Sequence, residues 1–171
     1  EAKVAQAPPT AVQKILDLKA EFNPGARLVQ SDLEVFVENG EALAGRRVVI
    51  VEDGPTVTHG GMAFGAGWVA AQQCRVGEVV DARPHAVGSI AETFDAFPHL
   101  QRVLPAMGYS AQQLDELKAT IEACDAELVI NASPADIDAQ LGTGTPGVTV
   151  RYRWVQRAGP DILSLVEGEV R

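Results

Sequence analysis

The residues most able to do chemistry stand in one short stretch, Val51-Glu52-Asp53-Gly54-Pro55-Thr56-Val57-Thr58-His59-Gly60-Gly61. Two adjacent carboxylates, two threonines, a histidine and a Gly-Gly pair follow directly on an apolar run, Val48 to Val51. Such a run bounded by charge reads as a strand buried on both faces, and the Gly-Pro break turns the chain at its carboxyl end. Backbone amides around Gly60 and Gly61 and the hydroxyls of Thr56 and Thr58 suit a phosphate or carboxylate. Glu52 and Asp53 suit a Mg²⁺ ion carried by phosphates, which takes one or two protein oxygens. His59 is the candidate for acid–base work, with a helix-terminus histidine as the alternative reading. A connection that is glycine-rich only because it is tight is the alternative for the whole loop.

Further along, Glu78-Val79-Val80-Asp81 reads as a second central strand, ending at Ala82-Arg83-Pro84-His85-Ala86-Val87-Gly88-Ser89. Arg83 is placed to neutralise an anion, or else to form a surface ion pair of little worth. Ser89 is either a ligand contact or, with Glu92 three residues on, a capping box. A third buried strand over Asp125 to Asn131 ends at Asn131-Ala132-Ser133-Pro134, offering Ser133. In a parallel sheet these strand ends share one edge, which would gather Glu52, Asp53, Arg83, Asn131 and Ser133.

The elements that must position these groups alternate. A helix over Ala11 to Phe22 is framed by Pro8-Pro9 and Asn23-Pro24-Gly25, and Ala26 to Gln30 reads as a short strand. Ser31 to Gly45 is polar and acidic with one apolar island, Val35-Phe36-Val37, and reads as a linker or excursion before the buried strand. Helices are expected over Met62 to Gln73, Ile90 to Phe97, Ala111 to Cys124 capped by Ser110, and Ala135 to Leu141. Pro98 to Tyr109 is irregular, Val148 to Val155 alternates as an outer strand, and a last helix follows Gly159-Pro160. Strands alternating with helices imply βαβ units and a Rossmann-like α/β domain with a mostly parallel sheet and flanking helices.

At 171 residues the chain supports one domain, with residues 1–45 as a possible end of a preceding one. A formal net charge of −9 argues against non-specific binding to nucleic acid or anionic membrane. Cys74 and Cys124 show no metal-finger or disulfide spacing, which implies a reduced, cytoplasmic protein. Three histidines lie too far apart in sequence for a transition-metal signature. No Gly-x-x-x-x-Gly-Lys-Ser/Thr loop is present; Gly142-Thr143-Gly144-Thr145-Pro146-Gly147 lacks the lysine. The start at Glu1, without Met, reads as a piece of a longer protein, and a homo-oligomer stays open.

Four motifs in order carry a resemblance: Val51 to Gly60, Asp81 to Ile90, Val103-Leu104-Pro105-Ala106-Met107-Gly108-Tyr109, and Val150-Arg151-Tyr152. They resemble the C-terminal portion of the cyclic 2,3-diphosphoglycerate synthetase family, whose uncharacterised relatives are described as predicted GTPases. The resemblance implies phosphoryl transfer, with ATP or GTP and Mg²⁺ acting in the full-length protein and the P-loop on an upstream domain. It implies catalytic roles for Asp53, His59 and Arg83, phosphate contacts including Arg151, and an isolated chain that is inactive. The guanine-recognition Asn-Lys-x-Asp of such proteins is replaced by Ala2-Lys3-Val4-Ala5. A non-catalytic ligand-binding or assembly module is the alternative.

Overall fold

The computed structural model describes residues 2–3, 9–100, 102–106, 110–134 and 141–169. The short helix expected over Ala135 to Leu141, Ala5 of the altered guanine motif and the Met107-Gly108-Tyr109 end of the third motif lie outside them, Leu141 excepted. The chain divides into two compact units, Glu1–Glu34 with Tyr152–Arg171, and Val35–Arg151.

The second unit carries the buried core and follows from the apolar run. Strand β3 (Arg47–Asp53) buries every residue from Val48 to Glu52, as a strand covered on both faces must. On one side it pairs in parallel with β6 (Leu128–Ala132), Val48 against Leu128 through Glu52 against Ala132. The other side is shared by two strands. β4 (Glu78–Val79) takes the first half, with Arg47 against Glu78, and β5 (Leu104–Ala106) takes the second, with Val51 against Leu104. β7 (Gly147–Ala158) extends the sheet beyond β6, again in parallel. The layout is the Rossmann-like, mostly parallel α/β sheet expected.

Helices cover that sheet. α3 (Ala66–Gln73) lays Gly67, Ala70 and Ala71 on it, α4 (Gly88–Ala96) contributes Ile90 and Phe94, and α5 (Ala111–Ala123) contributes Leu117 and Ile121. Together with Val48 to Val51, Val129 and Ile130 they form one continuous apolar core. Ser110 caps α5 as expected, its hydroxyl accepting the Gln113 amide at 3.2 Å. A five-residue helix, α2 (Gly54–Thr58), stands where a plain turn was expected, because Pro55 at its start fixes a helical φ.

Two further expectations give way. Ser31 to Gly45 is no linker: Gln30–Val37 is strand β2, followed by a 3₁₀ turn at Gly40–Leu43. Acidic residues disguised the strand because their partners are distant; in the first unit Arg157 bonds both Asp32 and Glu34. Pro98 to Tyr109 likewise contains β5, too short to register as a pattern. Also in the first unit, β1 (Ala2–Lys3) pairs in parallel with the start of β2, and α1 (Pro9–Phe22) buries no residue. Asp161 caps α6 (Ile162–Glu169) through the Ser164 amide at 2.9 Å.

Candidate functional site

Because β3, β4, β5 and β6 run in parallel, their carboxyl ends share an edge, where open α/β sheets bind ligands. The expected residues there meet separate fates. Glu52 is 2% exposed, and its Oε1 accepts the amides of Gly65 and Trp68, each at 3.0 Å. The side chain therefore plugs the amino end of α3. A Cβ on Gly65 would stand 2.5 Å from Glu52 Oε2, so the missing side chain at this position is what admits the carboxylate. Burial pushes the Glu52 carboxyl above its ordinary value, while the amides of Trp68, Gly67, Gly65 and Ala66 pull against that rise.

The neighbouring loop is also satisfied from within. Asp53 Oδ2 accepts the Thr56 hydroxyl at 2.7 Å. Thr58, buried, donates to the Gly54 carbonyl at 2.8 Å, and its hydroxyl lies 3.0 Å from His59 Nδ1. Gly60 donates to the Pro55 carbonyl and Gly61, at φ +64°, closes the turn. Ser89 donates both its amide and its hydroxyl to Glu116 of α5, so Glu116 and not Glu92 is its carboxylate partner. Ser133 donates amide and hydroxyl to Asn131 Oδ1 at 2.9 and 2.8 Å. Arg151 pairs with Glu38 at 3.2 Å on the surface.

Mg²⁺ fits this edge poorly. Glu52 spends its carboxylate on helix amides, leaving Asp53 as a single carboxylate already bonded to Thr56. Among the described residues, no group of three or more His, Cys, Asp or Glu is placed to hold a metal ion. The thiols offer no nucleophile: burial raises Cys74 and pushes Cys124 up to about 11.

Arg83, one of the expected residues, opens onto a cavity. It starts the 3₁₀ turn Arg83–His85 just beyond β4. Its amide donates to Asp81 Oδ1 at 3.1 Å, its Nη1 lies 3.7 Å from Asp81 Oδ2, and its guanidinium stands 5.4 Å from the centre of the Phe94 ring. Those contacts aim the side chain at a cavity of about 430 Å³ lined by Trp68, Asp81, Arg83, Pro98, His99, Leu100 and Arg102. Neither Glu52 nor Asp53 is among the lining residues; Glu52 reaches the cavity only through the Trp68 it anchors. Two guanidinium groups and an imidazole against one carboxylate give the pocket an anion-binding balance.

Trp68, His99 and Arg102 were not singled out from the sequence. Arg102 is fixed by the Val79 carbonyl at 3.4 Å, and His99 by the Val57 carbonyl at 2.9 Å. A signal existed in Pro98-His99-Leu100-Gln101-Arg102, a cluster of basic side chains after a proline. Its relation to Arg83 depends on the chain crossing the end of β4 on its way to β5.

Fold and pocket define the class: an α/β domain with an anion-suited cavity at the carboxyl ends of parallel strands. The chain is 42% identical over 156 residues, 91% of its length, to "Arginine synthetase ArcE" of Thermococcus kodakarensis. It spans 35% of that relative's length. No protein-family model and no solved structure matches the chain. Among the described residues no helix is long and apolar enough to cross a membrane.

Proposed function

We propose that the chain is the ligand-binding α/β domain of a synthetase that works by phosphoryl chemistry, and that the cavity beyond β4 holds a phosphorylated or carboxylated small molecule. The observation that carries this is the convergence of Arg83, Arg102 and His99 on one cavity at the carboxyl end of a parallel strand. Transfer of a phosphoryl group needs charge neutralisation and alignment more than covalent help, and such a pocket supplies both. Likeness to a protein named an arginine synthetase, with the resemblance to cyclic 2,3-diphosphoglycerate synthetases, supports a ligase-type reaction in the whole enzyme. ATP or GTP and Mg²⁺ would then be held outside these 171 residues, which contain no Walker-type lysine loop. The expected setting is the cytoplasm, with an upstream P-loop domain as partner and the isolated chain inactive.

A second reading, a binding or assembly module without nucleotide chemistry, is favoured by a different observation. The amino ends of α3 and α4, which could have cradled phosphates, are filled by Glu52 and Glu116. The two readings share the cavity and differ in what the rest of the protein does with it.

The test is calorimetry with inorganic phosphate, phosphorylated metabolites and L-arginine on the wild type and on Arg83→Ala. The expected outcome is a loss of at least about tenfold in affinity, about 1.4 kcal/mol, with the melting temperature little changed. Equal affinity in the two proteins would remove Arg83 from the site. Asp53→Asn and His59→Gln are expected to leave that affinity intact, since neither residue lines the cavity.

A further inference from the structure

We propose that His99 is the proton-accepting residue of the cavity and shares one proton with a phosphate group held between Arg83 and Arg102. This deepens the anion-binding reading above and rests on it. The ground is the way the ring is held. Its Nε2 lies 2.9 Å from the carbonyl oxygen of Val57. A carbonyl can only accept, so Nε2 carries the hydrogen and donates it. The neutral ring then has its lone pair on Nδ1. Phe97 fixes the ring plane from the side, with centroids 6.0 Å apart and planes at 89°. A backbone carbonyl that sets the tautomer leaves the other nitrogen for a ligand.

The surroundings favour a partner that can itself give or take a proton. The other charged groups lining the cavity are Asp81, Arg83 and Arg102, and Trp68 covers it from α3. α2, which supplies the Val57 carbonyl, is flanked by Asp53 and His59, and both lie outside the lining. A phosphate monoester exchanges its second proton at about pH 6, and imidazole is the side chain that ordinarily titrates in the same range. A phosphate monoanion donates its O–H to Nδ1 of the neutral ring. Once the proton has moved, the dianion accepts the Nδ1–H of the imidazolium. The two forms hold the same atoms and the same total charge, and Nε2–H stays on Val57 throughout. One proton thus serves the pair. Sulfate has no such proton to offer and binds well only opposite the imidazolium. The cavity therefore prefers a terminal phosphate, as a phosphate monoester or acyl phosphate carries, to a sulfate.

The experiment uses the whole chain labelled with ¹⁵N, whose three histidines are readily told apart with His99→Gln. Long-range ¹H–¹⁵N spectra are expected to show His99 as the Nε2–H tautomer, and added inorganic phosphate is expected to move its titration midpoint upward. Calorimetry from about pH 5.5 to 8 should show sulfate affinity falling about tenfold more than phosphate affinity. His99→Gln should abolish that difference and weaken phosphate about tenfold. An Nδ1–H tautomer overturns the assignment. So does phosphate that binds in an Arg83-dependent way without moving the His99 midpoint, and the anion site then stands without it. Failure of both anions to bind the wild type overturns the anion site and the role of His99 together.

Discussion

Helices α3 and α4 each begin on a carboxylate supplied from another element, and the two carboxylates respond in opposite senses. Glu52, at the end of β3, is buried against the amides of Gly65 and Trp68, and its carboxyl is raised by burial. Glu116, on α5, is partly exposed, accepts the Ser89 hydroxyl and amide and the Gln112 amide group, and is lowered by those bonds. Hydrogen-bond donors favour the charged form in both places. The difference lies in water: where the surroundings are dry, loss of hydration outweighs several well-placed amides. The same local motif is thus a structural plug at α3 and an ordinary surface cap at α4.

The largest effect should come from removing the plug. Glu52→Ala leaves buried amides without acceptors and a hole beneath α3, and is expected to cost about 2–4 kcal/mol in denaturant unfolding. Glu116→Ala should lower the midpoint by much less, because water replaces the carboxylate at an exposed helix end. Equal losses would show that burial is not what separates the two sites.

Next in size is the glycine that faces each carboxylate. Gly65→Ala drives a methyl group into a pinned carboxylate and is expected to cost about 1–3 kcal/mol. Gly88→Ala meets Glu116 as well, at a φ of +53°, but that side chain can swing outward. The remaining strain is that of a left-handed backbone, about 1 kcal/mol. A larger loss at Gly88 than at Gly65 would reverse the ranking of rigidity.

The smallest and most discriminating effect is in the pH dependence. With Glu52 raised above its ordinary 4.5, the folded state holds a proton that the unfolded chain has released. Stability is therefore fullest below that value and falls as pH rises through the folded-state titration. With Glu116 lowered from 4.5, stability is present above that value and falls as pH drops through the folded-state titration. Unfolding curves taken between roughly pH 3 and 7 should lose the upper slope in Glu52→Gln and the acid slope in Glu116→Gln. Slopes of the same sign would break the comparison.

Much of the fold was legible because it is written in local patterns. Val48 to Val51 announces a buried strand, Ser110 a cap, and Pro9 with Asn23-Pro24 the limits of α1. β2 was not, since its acidic residues look solvated until Arg157 is placed beside Asp32. At the site, composition was legible and direction was not. Glu52 and Asp53 were readable as carboxylates at a strand end, but only the path of α3 shows that Glu52 turns inward. Arg83 could be named from its position after a strand. His99 and Arg102 could not be joined to it, because the segment carrying them reaches the end of β4 only by passing over it.

That passage has one more outcome. The outer side of β3 is divided between β4, two residues long, and β5, three residues long. Among the described residues, no unbroken row of backbone amides and carbonyls is left along that flank for another chain to add to. A border built from such short pieces resists the strand-to-strand association that leads to aggregates.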